Sequence, residues 1–146
     1  MTARTTLRRR VPARLIPATN VPAAGWHQVR VALTYRVSDV FAVAVEIPTT
    51  SGPVTWLLSR ELLAEGLDAC CGIGDVQVYP DLLDDTATWI ELRDPSGRIG
   101  PALLRFCRAD LERFLDNTDA MVPAGTEATR INWTRELDLL AGGEVA

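Results

Sequence analysis

In residues 56–80, WLLSRELLAEGLDACCGIGDVQVYP, the spacing of hydrophobic residues changes from that of a strand to that of a helix and back to that of a strand. The apolar run at the start of this stretch ends at Ser59, a residue type that caps helices well. Residues 60–67 follow with helical spacing, with leucines on one side and acidic residues on another. After a glycine-punctuated turn, residues 75–79 alternate polar and apolar side chains until Pro80. The stretch predicts a strand, a helix and a strand in direct succession.

Period-two alternation continues on both sides of this stretch. Residues 26–36, 41–47 and 54–58 are joined by short turns, which predicts an antiparallel meander. The predicted buried faces of the first two runs consist of Val29, Val31, Leu33, Tyr35, Phe41, Val43, Val45 and Ile47. Two further strands are predicted over residues 86–92 and 98–106. The Gly100-Pro101 pair in the second of these favours an edge strand or a bulge.

Two helices are predicted after the last strand. Residues 108–118 give the clearest helical pattern of the chain. Its apolar stripe consists of Cys107, Leu111, Phe114, Leu115 and Thr118. Asn132 is suited to cap a last helix over residues 133–140.

Charge is distributed unevenly along the chain. The first fourteen residues hold five arginines and no acid, whereas the rest holds ten arginines and nineteen acids, a net charge of 10 − 19 = −9. The basic segment is interpreted as a strand, which Pro12 would place at a sheet edge, in preference to a free arm that contacts phosphate or lipid. The acidic remainder would repel a nucleic-acid backbone over most of its surface.

The length and composition indicate one globular domain. A chain of 146 residues that is 47% hydrophobic and 23% charged can bury a core without disulfides or metal. We expect a basic segment over residues 1–25, a single domain over 26–141 and a loose tail over 142–146. No apolar run reaches the roughly 18 residues of a membrane-spanning helix, and no signal-peptide pattern is present. A cytoplasmic protein with reduced, partly buried cysteines is therefore expected.

Residue types that carry catalysis or bind metals are scarce. His27 is the only histidine, and together with the adjacent Cys70 and Cys71 it barely provides the ligand count of a structural zinc site. A Cys70–His27 pair lacks any supporting nucleophile motif. The glycines of residues 71–74 precede a strand and not a helix, so they predict a turn and not a phosphate loop. Residues 81–85 predict a solvated acidic loop. The sequence thus predicts no catalytic, cofactor-binding or metal-binding residue.

The four tryptophans are compatible with two roles, packing and nucleic-acid binding. Trp26, Trp56, Trp89 and Trp133 can pack in a core or a subunit interface, or they can stack on unpaired bases. The acidic charge of residues 15–146 favours core or interface packing.

Several segments resemble the SsgA-like sporulation and cell-division proteins of actinobacteria. Residues 56–80 look like the signature region of that family, and residues 39–43 resemble a second motif in which the family usually has Pro-Tyr at the positions of Val40-Phe41. Further similar segments are Ser96-Gly97, Phe114-Leu115, Thr118-Asp119, 122–127 and Arg135-Glu136-Leu137. The resemblance runs from about residue 29 to residue 140, and the first 25 residues match poorly. The basic residues are all arginine, which is typical of a high-GC bacterial genome.

The resemblance implies an α+β fold. It would contain antiparallel sheets of about seven strands, similar to the Whirly-type single-stranded nucleic-acid binders, with two or three packed helices. It also implies a homotrimer and a non-enzymatic localisation factor in sporulation-specific septation. Such a factor would be cytoplasmic, would be recruited to the septum, and would act with the division protein FtsZ and a sister SsgA-like paralogue.

Three functional hypotheses follow. The first is an adaptor in cell division, for which Arg60, Glu61 and Glu65 on the exposed side of the predicted helix are candidate partner contacts. The second is a single-stranded nucleic-acid binder that uses Arg8, Arg9 and Arg10. The third and weakest is an enzyme that depends on Cys70 or Cys71.

Overall fold

A computed structural model describes residues 4–17, 26–49, 51–72, 74–95 and 101–130, together with residues 137, 139 and 140. The strands are β1 (Thr6–Pro17), β2 (His27–Arg36), β3 (Asp39–Ile47), β4 (Val54–Ser59), β5 (Val76–Pro80), β6 (Ala87–Leu92) and β7 (Ala102–Cys107). The helices are α1 (Arg60–Glu65), α2 (Arg108–Met121) and a 3-10 helix (Glu127–Arg130). Within these ranges the strands form one antiparallel sheet in the order β4-β3-β2-β1-β7-β6-β5, which curls into a half-barrel. The predicted α+β fold of about seven antiparallel strands is confirmed.

The basic amino-terminal segment forms a central strand of this sheet. β1 lies between β2 and β7, so the strand interpretation is confirmed and the edge position predicted from Pro12 is wrong. β1 pairs with β2 from Thr6 to Leu15, but its pairing with β7 begins only at Ala13. Pro12 therefore lies just before the part of β1 that pairs with β7. The N–H group that proline lacks is not needed for the hydrogen bonds of that pairing.

The strand predicted over residues 98–106 is also an interior strand. β7 lies between β1 and β6, so the edge position favoured by Gly100-Pro101 is wrong, and Pro101 precedes the strand. Several predictions concern residues outside the described ranges: the Ser96-Gly97 turn, the Asn132 cap, most of the last helix and the 142–146 tail.

The core lies between the inner face of the sheet and the two α-helices. The predicted faces of β2 and β3 are confirmed in their central parts, where Val31, Leu33, Tyr35, Val43, Val45 and Ile47 are all buried. Phe41 is an exception with 50% exposure, because the register of β2 and β3 shifts between Tyr35 and Arg36 beside the turn. The buried residues of α2 are Leu111, Phe114, Leu115 and Thr118, as predicted. Cys107 instead occupies the N-cap position and is exposed.

The corner formed by residues 56–80 has the predicted strand–helix–strand order. The Ser59 side chain accepts a hydrogen bond of 3.1 Å from the backbone N–H of Leu62 and so caps α1. Gly66 ends the helix in a right-handed conformation, with φ −66° and ψ −13°. A Cβ at Gly66 would overlap the side chain of Val78 on β5 and would lie 3.0 Å from its backbone carbonyl carbon. The helix end and β5 therefore approach each other so closely that only glycine fits.

We predict that Gly66→Ala lowers the free energy of unfolding by about 2–3 kcal/mol, because the new methyl group overpacks the contact with Val78. The backbone conformation of Gly66 suits any residue, so without this contact alanine would stabilise the protein by about 0.4–1 kcal/mol. The sign of the change, measured by urea unfolding, thus tests the close approach. Ala64→Ser at an exposed position of α1 is the control and should change the value by no more than about 0.5 kcal/mol. Stabilisation by Gly66→Ala would contradict the contact.

Candidate functional site

Arg60 does not lie on the exposed side of α1. Only 3% of its side chain is exposed, so the predicted exposure is wrong. Residues three apart on a helix share a face, and Leu63 is fully buried in the core. Arg60 therefore points inward beside Leu63. The spacing of Arg60 and Leu63 is visible in the sequence. Charged side chains usually face water, however, and on that ground Arg60 was predicted to be exposed.

The Arg60 guanidinium connects four parts of the fold. It donates hydrogen bonds to the carbonyl oxygens of Val122 (2.7 Å) and Thr118 (3.3 Å) at the end of α2. It forms an ion pair and hydrogen bond with Glu127 on the 3-10 helix, and its carbon lies 4.9 Å from the centre of the Tyr35 ring. Cations are favoured at a helix carboxyl end, where carbonyl oxygens lack intrahelical partners. We call these residues, with Asp119 at 3.6 Å from Arg60, the Arg60 cluster.

The two carboxylates of the Arg60 cluster have opposite pKa shifts. The hydrogen bond from Arg60 holds the pKa of Glu127 below its ordinary value. Burial raises the pKa of Asp119, and the attraction of Arg60 opposes that rise only in part. Glu127 is therefore the principal counter-charge of the buried guanidinium.

We predict that Glu127→Gln lowers the free energy of unfolding at neutral pH by about 1–2 kcal/mol, because it leaves a buried charge poorly paired. A carboxyl group whose pKa is depressed by folding stabilises the protein above its unfolded pKa, which is 4.5 for Glu127. That stability is lost as the pH falls through the lower, folded value. The difference between wild type and variant should be constant above about pH 5.5 and should shrink below pH 4.5.

Urea unfolding at a series of pH values measures this difference. Glu61→Gln, the same change at an exposed position of α1, is the control, and its curve should run parallel to that of the wild type. A Glu127→Gln difference that does not change with pH would contradict the role of the Glu127 carboxylate.

The other two candidate contacts on α1 are exposed. Glu61 and Glu65 both face solvent, as predicted. Their role in partner contact stays a prediction.

The three arginines proposed for nucleic-acid contact do not share one surface. Arg8 and Arg10 lie opposite Thr34 and Ala32, whereas Arg9 lies opposite the buried Leu33. We call the face with Arg8 and Arg10 the outer face of the sheet, because cross-strand partners point to the same side. The guanidinium of Arg9 bends back to donate a hydrogen bond to the Arg8 carbonyl oxygen at 3.1 Å.

The cysteines are not arranged as a catalytic site. Cys70 and Cys107 are exposed and Cys71 is partly exposed, so the expectation of partial burial is wrong for the first two. Cys70 lies in the loop before β5, and three strands separate β5 from β2, which carries His27. Burial, followed by the nearby Glu65 carboxylate, raises the pKa of Cys71, which is the opposite of what activates a thiol.

Within the described ranges, no three or more His, Cys, Asp or Glu side chains are grouped so that they can hold a metal ion. None of the helices in these ranges is both long and apolar enough to cross a membrane.

The loop between β5 and β6 is more ordered than a solvated acidic loop. One oxygen of Asp81 accepts hydrogen bonds from the backbone N–H groups of Leu83 (2.8 Å) and Asp84 (3.0 Å), and the other accepts one from Trp89 Nε1 (2.8 Å). Asp84 accepts hydrogen bonds from the Thr86 backbone and from the Arg105 guanidinium, the latter at 2.7 Å. The hydrogen bond from Trp89 is the main cause of a lowered pKa at Asp81. The carboxylates thus fix the shape of the loop.

The same loop presents two leucines to water. Leu82 is 97% exposed and Leu83 is 100% exposed. They lie at the rim of an open groove of about 810 Å³ on the outer face, with Tyr79, Trp89 and Leu103 among its lining residues. We call Leu82, Leu83 and this groove the leucine-loop surface. The sequence does not predict this surface, because the three aspartates of residues 81–85 indicate only a solvated loop.

The comparisons with known proteins identify the family. The model of the family described as Streptomyces sporulation and cell division protein, SsgA, matches residues 29–127. The chain belongs to this family. A sporulation-specific cell division protein of Frankia casuarinae is 35% identical over 109 residues, which are 74% of this chain and 73% of that protein. The sporulation-specific cell division protein SsgB of Streptomyces coelicolor is 39% identical over 107 residues, 72% of this chain and 76% of the relative.

Two solved structures of the SsgA family share the fold. The first comes from work on mutations in SsgB that correlate to longitudinal cell division during sporulation of Streptomyces coelicolor. It has a TM-score of 0.75 and 36% identity, over 87% of this chain and 96% of the other. The second, an SsgA-like sporulation-specific cell division protein from Thermobifida fusca, has a TM-score of 0.77 and 29% identity, over 94% and 97%. The family resemblance predicted from residues 56–80 is confirmed.

Proposed function

We propose that this SsgA-family protein is a non-enzymatic adaptor in sporulation-specific cell division. It would help select septum sites by bringing division proteins, FtsZ or a sister SsgA-like paralogue, to those sites from the cytoplasm. The names of its relatives as sporulation-specific cell division proteins support the process. The observation that supports a role in protein association is the leucine-loop surface, because fully exposed leucines on a preorganised loop indicate protein contact.

The occupant that we assign to the leucine-loop surface is a second copy of this chain. The surface lies at the β5 end of the sheet, and at the opposite edge β4 exposes Leu57 (66%) on the same outer face. Contact between two unlike surfaces on neighbouring copies is heterologous, and such contacts produce closed rings when the rotation permits. A homotrimer built in this way would present three copies of any partner-binding surface.

The adaptor proposal can be tested in sporulating actinobacterial cells that produce the protein as a fluorescent fusion, together with affinity purification of the fusion from the same cells. We expect fluorescence at the septa and co-purification of FtsZ or an SsgA-like paralogue. Diffuse fluorescence throughout sporulation, with neither protein co-purified, would contradict the proposal.

The trimer can be tested with the double variant Leu82→Asp, Leu83→Asp. We expect the wild type to have three times the chain mass in light scattering at micromolar concentration, and the variant to have a lower mass, because charges would replace the apolar contact. Both side chains face water in the single chain, so the circular dichroism spectrum should not change.

The double variant Ala64→Asp, Ala69→Asp adds the same charge at two other exposed positions and should keep the wild-type mass. A monomeric wild type, or a leucine variant that keeps the trimer mass, would contradict this assembly.

A further inference from the structure

Two arginines on the outer face of β1 and β2 have no carboxylate partner among the described residues, and neither do Arg4, Arg9, Arg14 and Arg36. Among the described residues, those with a carboxylate oxygen within 4.0 Å include Arg60, Arg93, Arg105, Arg108 and Arg113. Within the same ranges Arg10 and Arg30 have no such partner. Arg8 has one, Glu46 at 3.5 Å, and both members of that pair are partly exposed.

These arginines surround a small residue. Ala32 on β2 lies directly opposite Arg10 on β1 and, on its other side, opposite Glu46 on β3. Arg30 is two residues before Ala32 on the same strand, and Arg8 is two residues before Arg10. Residues two apart on a strand point to the same face, so all these side chains stand on the outer face around the alanine.

The result is a depression of about 300 Å³, which we call the arginine depression. It is lined by Arg8, Arg10, Arg30, Ala32, Glu46 and Pro48. Ala32, the smallest of these residues, is buried, and the longer side chains around it complete the lining. Three guanidinium groups and one carboxylate give it a local charge of +2, in a chain whose net charge is −4.

The chemistry of the lining selects an anion. A guanidinium group presents its N–H donors in a planar fork that matches a carboxylate or a phosphate. Glu46 meets only Arg8, so the donors of Arg10 and Arg30 are not used by any carboxylate of the described residues. A ligand with one or two carboxylates would supply the missing acceptors.

We propose that the arginine depression binds a short acidic segment of a partner protein. A peptide is favoured over a single-stranded nucleic acid for two reasons. None of the six lining residues is aromatic, whereas non-specific single-strand binding relies on aromatic side chains that stack with the bases. The net negative charge of the rest of the chain would also repel a long polyanion. The proposal rests on the adaptor function and gives that function a partner surface.

Fluorescence anisotropy with three labelled probes tests the proposal at about 50 mM salt, where charge contacts are strongest. The probes are the peptide (Glu-Ala)₄, its neutral counterpart (Gln-Ala)₄ and a fifteen-residue oligothymidine. We expect the acidic peptide to bind and the neutral peptide not to bind. The double variant Arg10→Gln, Arg30→Gln should weaken acidic-peptide binding about tenfold, the loss expected for two solvent-exposed ion pairs.

The double variant Arg93→Gln, Arg113→Gln is the matched control, because it removes the same charge from two exposed arginines elsewhere. It should weaken acidic-peptide binding less than about twofold, the residual effect of long-range charge in a screened solution. Ala32→Leu fills the depression without a change of charge and should also weaken binding. Circular dichroism verifies that each variant is folded.

Four results would overturn the proposal: no binding of the acidic peptide, equal losses in the two arginine variants, full binding by Ala32→Leu, or tighter binding of the oligothymidine. The last result would assign the surface to nucleic acid. These outcomes concern the purified protein alone, so they leave the septal localisation experiment and the adaptor function unaffected.

Discussion

The packing of the helices on the sheet depends on the buried guanidinium of Arg60. A buried charge is tolerated only when it is paired and its donors are satisfied. Here the partners are the last carbonyl oxygens of α2, the Glu127 carboxylate and the face of the Tyr35 ring. These partners come from α2, the 3-10 helix and β2. One side chain therefore fixes where three separate elements meet α1.

A second arginine fixes the other end of the same helix pair. Arg108, the first residue of α2, donates hydrogen bonds to the Leu67 carbonyl oxygen (2.6 Å) and to the Asp68 carboxylate (2.7 Å), just after α1. The start of α1 is thus tied to the end of α2, and the end of α1 to the start of α2. Gly66 also packs closely against Val78, so the helix of residues 56–80 contacts both α2 and β5. The interior of this stretch is therefore structural, while its exposed Leu57 and partly exposed Tyr79 belong to the surfaces proposed for self-association.

Local sequence patterns predicted the helices and strands well. They predicted less well where each strand lies in the sheet and what each side chain contacts. Ser59 and the period-two runs act through their own backbone and neighbours, so the strand–helix–strand corner and the meander were predictable. The place of a strand in the sheet is set by distant pairing, and Pro12 alone could not show that β7 pairs only beyond it. The burial of Arg60 was not predictable from local patterns, because the partners of its guanidinium lie about sixty residues away in the sequence. The leucine-loop surface depends on Arg105 and Trp89, which no spacing rule connects with Asp81 and Asp84.

The outer face of the sheet carries a basic surface and an apolar surface. They differ because the arginine that lies between them is already paired with carboxylates. Arg14, Arg105, Trp89 and Tyr79 form a continuous cross-strand row from β1 to β5. Arg105 lies in the middle of this row, and its charge is taken up by Asp81 and Asp84 of the leucine loop. The positive charge therefore remains concentrated at β1 and β2, while the β5 end is apolar with an acidic rim. The proposed self-contact joins this apolar end to the β4 edge of a neighbouring copy. The arginines of β1 and β2 lie on neither edge, so a trimer would offer three arginine depressions. Binding that is weak at each depression would then be strengthened by multivalency, which is the property an adaptor requires.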